Sequence, residues 1–348
     1  MLTITSIGAP ASPARVAPPT RAPLRIAAVQ HRWHPDPAEH AAALRAGAVA
    51  AAELGAQLVC FQELTLSRYF ADLPPEAQPP AGRPPEAQPP DGRVPAERGS
   101  DGRPARSGSG PAALAESVDD GPTRTLAAGL AAELGVAVHM SLYERADGPD
   151  GLGFNTAIVV GPDGALLART RKMHIPVTAG YHEDRYFRPG PAGADSFPVV
   201  ELHQGRFGFP TCWDQWFPEL ARAYSLAGAD VLVYPTAIGS EPDHPGFDTE
   251  PLWHNVIVGN GIANGTFMVA INRIGTEGAL TFYGSSFISD PYGRVLVRAP
   301  RDVPAVLVAD LDLDQRRDWL ALFPFLTTRR PDAYAGLAEP GAGDVEGR

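Results

Sequence analysis

Three side chains of the 348-residue chain share one context. Glu63 closes the apolar run QLVCFQE, Lys172 follows ALLARTR, and Cys212 follows RFGFPT, so each stands just past the expected C-terminal end of a buried strand. Strand ends hold side chains firmly while the loops beyond them leave room for a small molecule. A thiol, a carboxylate and an ammonium together suit a hydrolase. Free thiols are mostly protonated near neutral pH, so a nucleophilic Cys212 needs a base or a neighbouring cation. Glu63 is the candidate base, since a carboxylate at the rim of an apolar pocket can bind its proton more tightly than usual. Lys172 could stabilise the thiolate and, with the backbone N–H of Trp213, hold an oxyanion. On these residues alone the alternatives stay open. Cys212 could be a small buried hydrophobe, which is the reading for Cys60 inside LVCFQE, and Lys172 a surface charge like its neighbours Arg169 and Arg171.

The elements that must position these groups are readable in outline. LRIAAVQ (24–30) and QLVCFQE (57–63) read as buried strands around an Ala-rich helix from Glu39 to Leu54 that stops at Gly55. TRTLAAGLAAELG (123–135) is helix-like, and VAVHMSLYE, NTAIVV and ALLARTR follow as strands with a turn at Gly161–Gly164. FPVVELHQGRFGFPTC gives two more strands, Phe217 to Leu226 a helix, and DVLVYPT (230–236) a strand. LWHNVIVGNGIANG then suggests a helix, with FMVAINRI, LTFYGSSFI, VLVRAP and AVLVADLDL as the closing strands. Interleaved strands and helices without a second linker predict a single α/β domain over 24–335. PPEAQPPAGR is nearly duplicated as PPEAQPPDGR at 84–93, and 72–119 is expected to be a disordered insertion with too few apolar groups to offset its ordering entropy. Residues 1–23 are expected to be a disordered tail and 336–348 a C-terminal tail.

Several function classes recede on composition. A net charge of −11 argues against a nucleic-acid partner. No window approaches 18 consecutive apolar residues, so no membrane partner is expected, and the proline-broken N-terminus lacks a secretory h-region. Two cysteines make no disulfide framework, which predicts a reducing, cytoplasmic setting. The nine histidines show no HExxH or clustered spacing, so no metal is expected. GNGIANG (259–265) follows a helical run and not a strand, which disfavours a dinucleotide site, and GxSxG is absent. No cofactor is expected.

FQELTLSRYF, RKMHIP with GYHEDRYFRPG, and CWDQWFPE resemble the three signature segments of the carbon–nitrogen hydrolase (nitrilase) superfamily. The resemblance runs on through YPTAIG, ANGTFMVAINRIG, TFYGSSFISDPYG and RRPDAY, covering about residues 24–335. It implies a four-layer αββα sandwich, a Glu63–Lys172–Cys212 triad, an assisting Glu183, and a homodimer or larger homo-oligomer. Tyr69, Trp213 and Asp214 join Glu183 as expected substrate-binding or oxyanion residues. The strings look most like the branch acting on N-carbamoylputrescine. No arginine follows the nucleophile to hold a substrate carboxylate, whereas Asp214, Glu219 and the aromatic faces suit an alkylammonium. A small-molecule ureide or amide is thus the expected partner. The alternative within the class, N-carbamoyl-β-alanine, needs a cation from elsewhere, such as Arg185 or Arg68. The alternative outside it is a catalytically idle binding module recruiting partners through the Pro-rich insertion.

Overall fold

The structure, a computed structural model, describes residues 1–74, 111–148 and 150–339. Two mixed sheets dominate. The seven-stranded sheet runs in the spatial order Leu2–Ser6, Ala305–Leu311, Leu24–Gln30, Leu58–Phe61, Ala137–Glu144, Phe154–Val160 and Leu166–Arg171. The six-stranded sheet runs Val295–Arg298, Phe287–Ser289, Phe267–Asn272, Val231–Thr236, Gly205–Gly208 and Val200–Leu202. Each contains a parallel centre, Leu24–Gln30 with Leu58–Phe61 and Ala137–Glu144 in one, Gly205–Gly208 with Val231–Thr236 and Phe267–Asn272 in the other. Their near-continuous Val, Ile, Leu and Ala content is what strands covered on both faces require.

Two-residue alternation then sorts the side chains. Ile26, Ala28, Cys60 and Val159 share one apolar cluster with Phe207, Phe209, Val233 and Ile271 of the other sheet. Ala27, Val29, Val59 and Met140 pack instead with Leu44, Ala48 and Leu130 from the helices Pro37–Glu53 and Pro122–Leu134. Leu232, Tyr234 and Met268 pack with Leu220, Tyr224, Trp253 and Ile257 from the helices Pro218–Leu226 and Glu250–Asn264. The helix starts are fixed locally. Asp36 accepts the N–H groups of Ala38 and Glu39 at 2.8 and 2.9 Å, satisfying donors that an isolated first turn leaves open.

Two expectations need correction. Residues 1–23 are ordered, not a disordered tail. Leu2–Ser6 pairs in parallel with Ala305–Leu311 at the sheet edge, and Arg15 reaches Asp318 at 2.9 Å while Arg21 reaches both Asp230 and Asp314 at 2.8 Å. Composition misled because most partners of this segment lie about 300 positions away in VADLDLDQRRD, with Asp230 between. The insertion is also shorter than 72–119. Its centre, 75–110, lies outside the described residues, but Asp72 is buried in the turn Phe70–Asp72 and Glu116 is buried against the next helix. The Glu116 carboxylate accepts Thr123 N at 2.7 Å and Thr123 Oγ1 at 2.6 Å, capping a helix whose own N-cap is Gly121.

The N-terminal strap makes a testable contribution. Burial pulls the Asp314 carboxyl upward, but hydrogen bonds from Thr20 and Arg21 overcome this and hold it well below the ordinary aspartate range. A depressed carboxyl stabilises the fold above its unfolded pKa, near 3.9, and that stability is lost as pH falls through the folded value. Arg21→Ala should therefore cost about 2 kcal/mol at neutral pH, seen as a lower urea midpoint. The gap from the parent should narrow as the medium is acidified below about pH 4.

Candidate active site

Glu63 lies two residues past the Leu58–Phe61 strand and Lys172 directly follows Leu166–Arg171, both in the first sheet. Cys212 opens the 3-10 turn Cys212–Trp216 that follows Gly205–Gly208 in the second. The site therefore forms only where the two sheets face each other. Lys172 Nζ donates to Glu63 Oε1 at 3.0 Å and to Glu183 Oε2 at 2.7 Å, all three side chains being sealed from solvent. An ammonium has three donors, so one remains for a third acceptor. Asn155 Nδ2 also donates to Glu63 Oε1 at 2.7 Å. Glu63 Oε2 is buried with no partner among the described residues, which leaves it as the oxygen that can receive a proton.

Cys212 sits beside this cluster and is 5% exposed. Burial, then the Glu63 charge, push its thiol well above the ordinary cysteine value, against a smaller pull from Lys172 and a hydrogen bond from the Ala237 backbone. Both upward effects favour the neutral thiol of Cys212. Burial lowers the Lys172 ammonium, but Glu183 and Glu63 more than reverse this and keep it charged. Burial raises Glu183, with Lys172 opposing and Glu63 adding to the rise. The backbone of Cys212 has φ +40°, a left-handed conformation that costs an L residue about 1–2 kcal/mol and projects its side chain at a sharp turn. Such strain collects at functional positions.

The remaining candidates divide. Tyr69, fully buried, donates from its hydroxyl to Glu183 Oε1 at 2.9 Å and so orients that carboxylate. The Trp213 N–H lies in the first turn of the 3-10 segment, where helical N–H groups lack an intrahelical acceptor. Asp214 departs from expectation. Its Oδ2 accepts Thr211 N at 3.0 Å, and its Oδ1 accepts His174 N at 2.9 Å and lies 2.8 Å from His174 Nδ1. Both oxygens are engaged within the protein, and His174 stacks on Phe217 with centroids 3.6 Å apart. Asp214 thus ties the loop after Lys172 to the turn of Cys212 and does not present itself to an alkylammonium. Arg169 and Arg171 are not plain surface charges either, since both pair with Glu144. A cavity of about 370 Å³ beside them is lined by Met173 and the 190–196 loop but by no member of the triad.

Sequence reasoning passed over Asn155, Gln215 and Arg273. Trp253 Nε1 donates to Gln215 Oε1 at 2.8 Å and Asn260 Nδ2 to Gln215 O at 2.9 Å, clamping the nucleophile turn to the Glu250–Asn264 helix. Arg273 Nη2 donates to the Glu63 carbonyl at 2.8 Å. Buried polar residues in an apolar run were the available signal. Among the described residues no group of His, Cys, Asp and Glu is placed to hold a metal ion, and no helix is long and apolar enough to cross a membrane.

A mixed α/β frame that brings a buried carboxylate, ammonium and thiol together defines a class of cysteine-bearing hydrolase folds, and comparison with known proteins agrees. The family model for carbon-nitrogen hydrolases matches residues 25–321, and the chain belongs to that family. It is an enzyme acting on amides or ureides. The chain is 42% identical over 224 residues to N-carbamoylputrescine amidase of Solanum lycopersicum, covering 62% of this chain and 73% of that protein. A citrullinase of Francisella tularensis is 33% identical over 319 residues, 89% of this chain and 96% of that protein. Among solved structures, a carbon-nitrogen hydrolase from Helicobacter pylori superimposes with a TM-score of 0.73 at 29% identity, covering 90% of this chain and 98% of that one.

If Asp214 orients the loops and binds no substrate charge, Asp214→Asn should lower kcat by the same factor on a cationic ureide and on its uncharged analogue. A loss confined to the cationic substrate, read from steady-state ammonia release, would restore the substrate-binding assignment.

Proposed function

We propose that this enzyme hydrolyses the terminal ureido group of N-carbamoylputrescine through a Glu63–Lys172–Cys212 triad, giving putrescine, ammonia and carbon dioxide. The observation that carries the triad is the pair of contacts from the buried Lys172 Nζ to Glu63 and Glu183 beside the Cys212 thiol. Glu63 takes the thiol proton as Sγ bonds to the ureido carbon. The third Lys172 donor and the Trp213 N–H receive the oxyanion, which costs no reorganisation when the donors are already in place. The proton on Glu63 passes to the departing nitrogen, leaving a thiocarbamate on Cys212. Glu63 then takes a proton from water as the water attacks and returns it to Sγ as the C–S bond breaks, and the carbamic acid released loses carbon dioxide. One water is consumed overall. No cofactor is required by these steps.

The identity to the tomato N-carbamoylputrescine amidase supports the substrate, and so does the charge of the site. Two carboxylates flank one ammonium, and Arg68, one alternative carboxylate receptor, is paired with Asp72. Glu241 is half-buried, accepts Thr249 Oγ1 at 3.2 Å, and adds to the burial that raises the Tyr181 and Tyr283 hydroxyls. We assign it the distal ammonium. Citrulline is the second reading, because the citrullinase relative aligns over most of both chains; it carries the same ureide with an added carboxylate. N-carbamoyl-β-alanine is the third. The three apolar clusters support one domain built as a four-layer αββα sandwich. Exposed Leu226, Leu252, Ile262 and Phe323 support homo-oligomer formation, and a cytoplasmic setting completes this reading.

Cys212→Ala should abolish ammonia release from every ureide while circular dichroism stays that of the parent; retained turnover refutes the triad. Glu241→Gln should raise KM for N-carbamoylputrescine by roughly tenfold or more, the scale of a lost charge-assisted contact, with little change for butylurea. Turnover of citrulline or N-carbamoyl-β-alanine alone would overturn the substrate assignment.

A further inference from the structure

Arg273 is the one fully buried arginine among the described residues. It follows the Phe267–Asn272 strand of the second sheet, yet its guanidinium grips the loop that leaves the first. Nη2 donates to the backbone carbonyls of Glu63, Leu64 and Ser67 at 2.8, 3.1 and 3.2 Å. Nη1 donates to both oxygens of Glu277 at 2.8 Å, and Glu277 Oε2 in turn accepts Tyr69 N at 2.7 Å. One ion pair thus holds both ends of the 63–69 loop. That loop carries Glu63 at one end and, at the other, the tyrosine whose hydroxyl holds Glu183. Leu64 has φ +48°, so the chain bends sharply immediately after Glu63 and needs an external hold to keep that bend.

The adjacent Asn272 acts on the opposite wall. Its Oδ1 accepts Ile238 N at 3.1 Å and its Nδ2 donates to Ile238 O at 2.8 Å, fixing the segment whose Ala237 N–H meets the Cys212 sulfur. Burying a guanidinium is costly unless its donors are filled; Nη1 and Nη2 of Arg273 are filled, and Nε has no partner among the described residues. A planar fork with donors on two nitrogens can serve a carboxylate and a row of carbonyls together, and an ammonium cannot.

We propose that Arg273 is a positioning residue for the general base: its guanidinium sets the 63–69 loop so that Glu63 meets the Cys212 thiol and Tyr69 meets Glu183. This rests on the reading of Glu63 as the base for Cys212. A purely structural arginine would weaken the enzyme whatever stood at position 63. An arginine acting through Glu63 loses its effect once that carboxylate is gone.

The experiment is a double-mutant cycle read by the rate of Cys212 alkylation with iodoacetamide in the full chain, located by peptide mass spectrometry, which needs no knowledge of the substrate. Cys60 is sealed and its thiol raised by burial, so it serves as the unreactive internal control. Arg273→Lys and Glu63→Gln should each slow alkylation by roughly tenfold or more, since small displacements of a catalytic group carry losses up to about a hundredfold. The combined variant should be no slower than Glu63→Gln alone. A parent-like rate in Arg273→Lys, or a double variant slowed by the product of the two factors, overturns the proposal. Equal rates in the parent and Glu63→Gln overturn the base assignment itself, and this inference with it. Should Arg273→Lys fail to fold, Glu277→Asp, which draws the same anchor back by one methylene, takes its place in the cycle.

Discussion

Everything at this site depends on one ammonium held out of water between two carboxylates. Lys172 is sealed from solvent and touches Glu63 and Glu183 at hydrogen-bond distance, an arrangement that would be costly without both partners. Two carboxylates there share one ammonium, so a thiolate at Cys212 would add a further negative charge to a buried site, which is opposed strongly. Burial first, and the Glu63 charge after it, hold the thiol well above its ordinary value.

The sheets supply the geometry. Glu63 and Lys172 come from the first sheet and Cys212 from the second, so packing Ile26, Cys60 and Val159 against Phe207, Phe209 and Ile271 also brings carboxylate, ammonium and thiol together. Several buried polar residues refine it: Asn155 on Glu63, Asp214 between the lysine loop and the cysteine turn, Gln215 under the Glu250–Asn264 helix. Each binds a partner at least 38 positions away in the chain.

That distance decides what could be read from sequence. Strand ends bearing reactive groups were legible because an apolar run and the residue that closes it are contiguous, as in QLVCFQE and RFGFPTC. The helices Pro37–Glu53, Pro122–Leu134 and Pro218–Leu226 and the turn at Gly161–Gly164 were legible for the same local reason. Roles set by remote partners were not. Asp214 reads as a rim carboxylate until His174 is seen on it, and Arg273 reads as the charged end of a strand until the 63–69 carbonyls are seen around it. The N-terminal segment reads as disorder for lack of apolar residues, although Arg15 and Arg21 are held by Asp318 and Asp314 near the other end of the chain. The Glu116 cap looked like part of a polar insertion until it was found buried against Thr123.

The positive φ at Cys212 has a bearing on how inert forms of the enzyme should be made. Alanine deletes the sulfur but still has to be forced into a twist that suits it no better than cysteine. Glycine adopts that twist freely, so it lets the main chain settle where the parent holds it under tension. For trapping an intact ligand in an undistorted pocket, the smallest residue is therefore the better stand-in for the nucleophile.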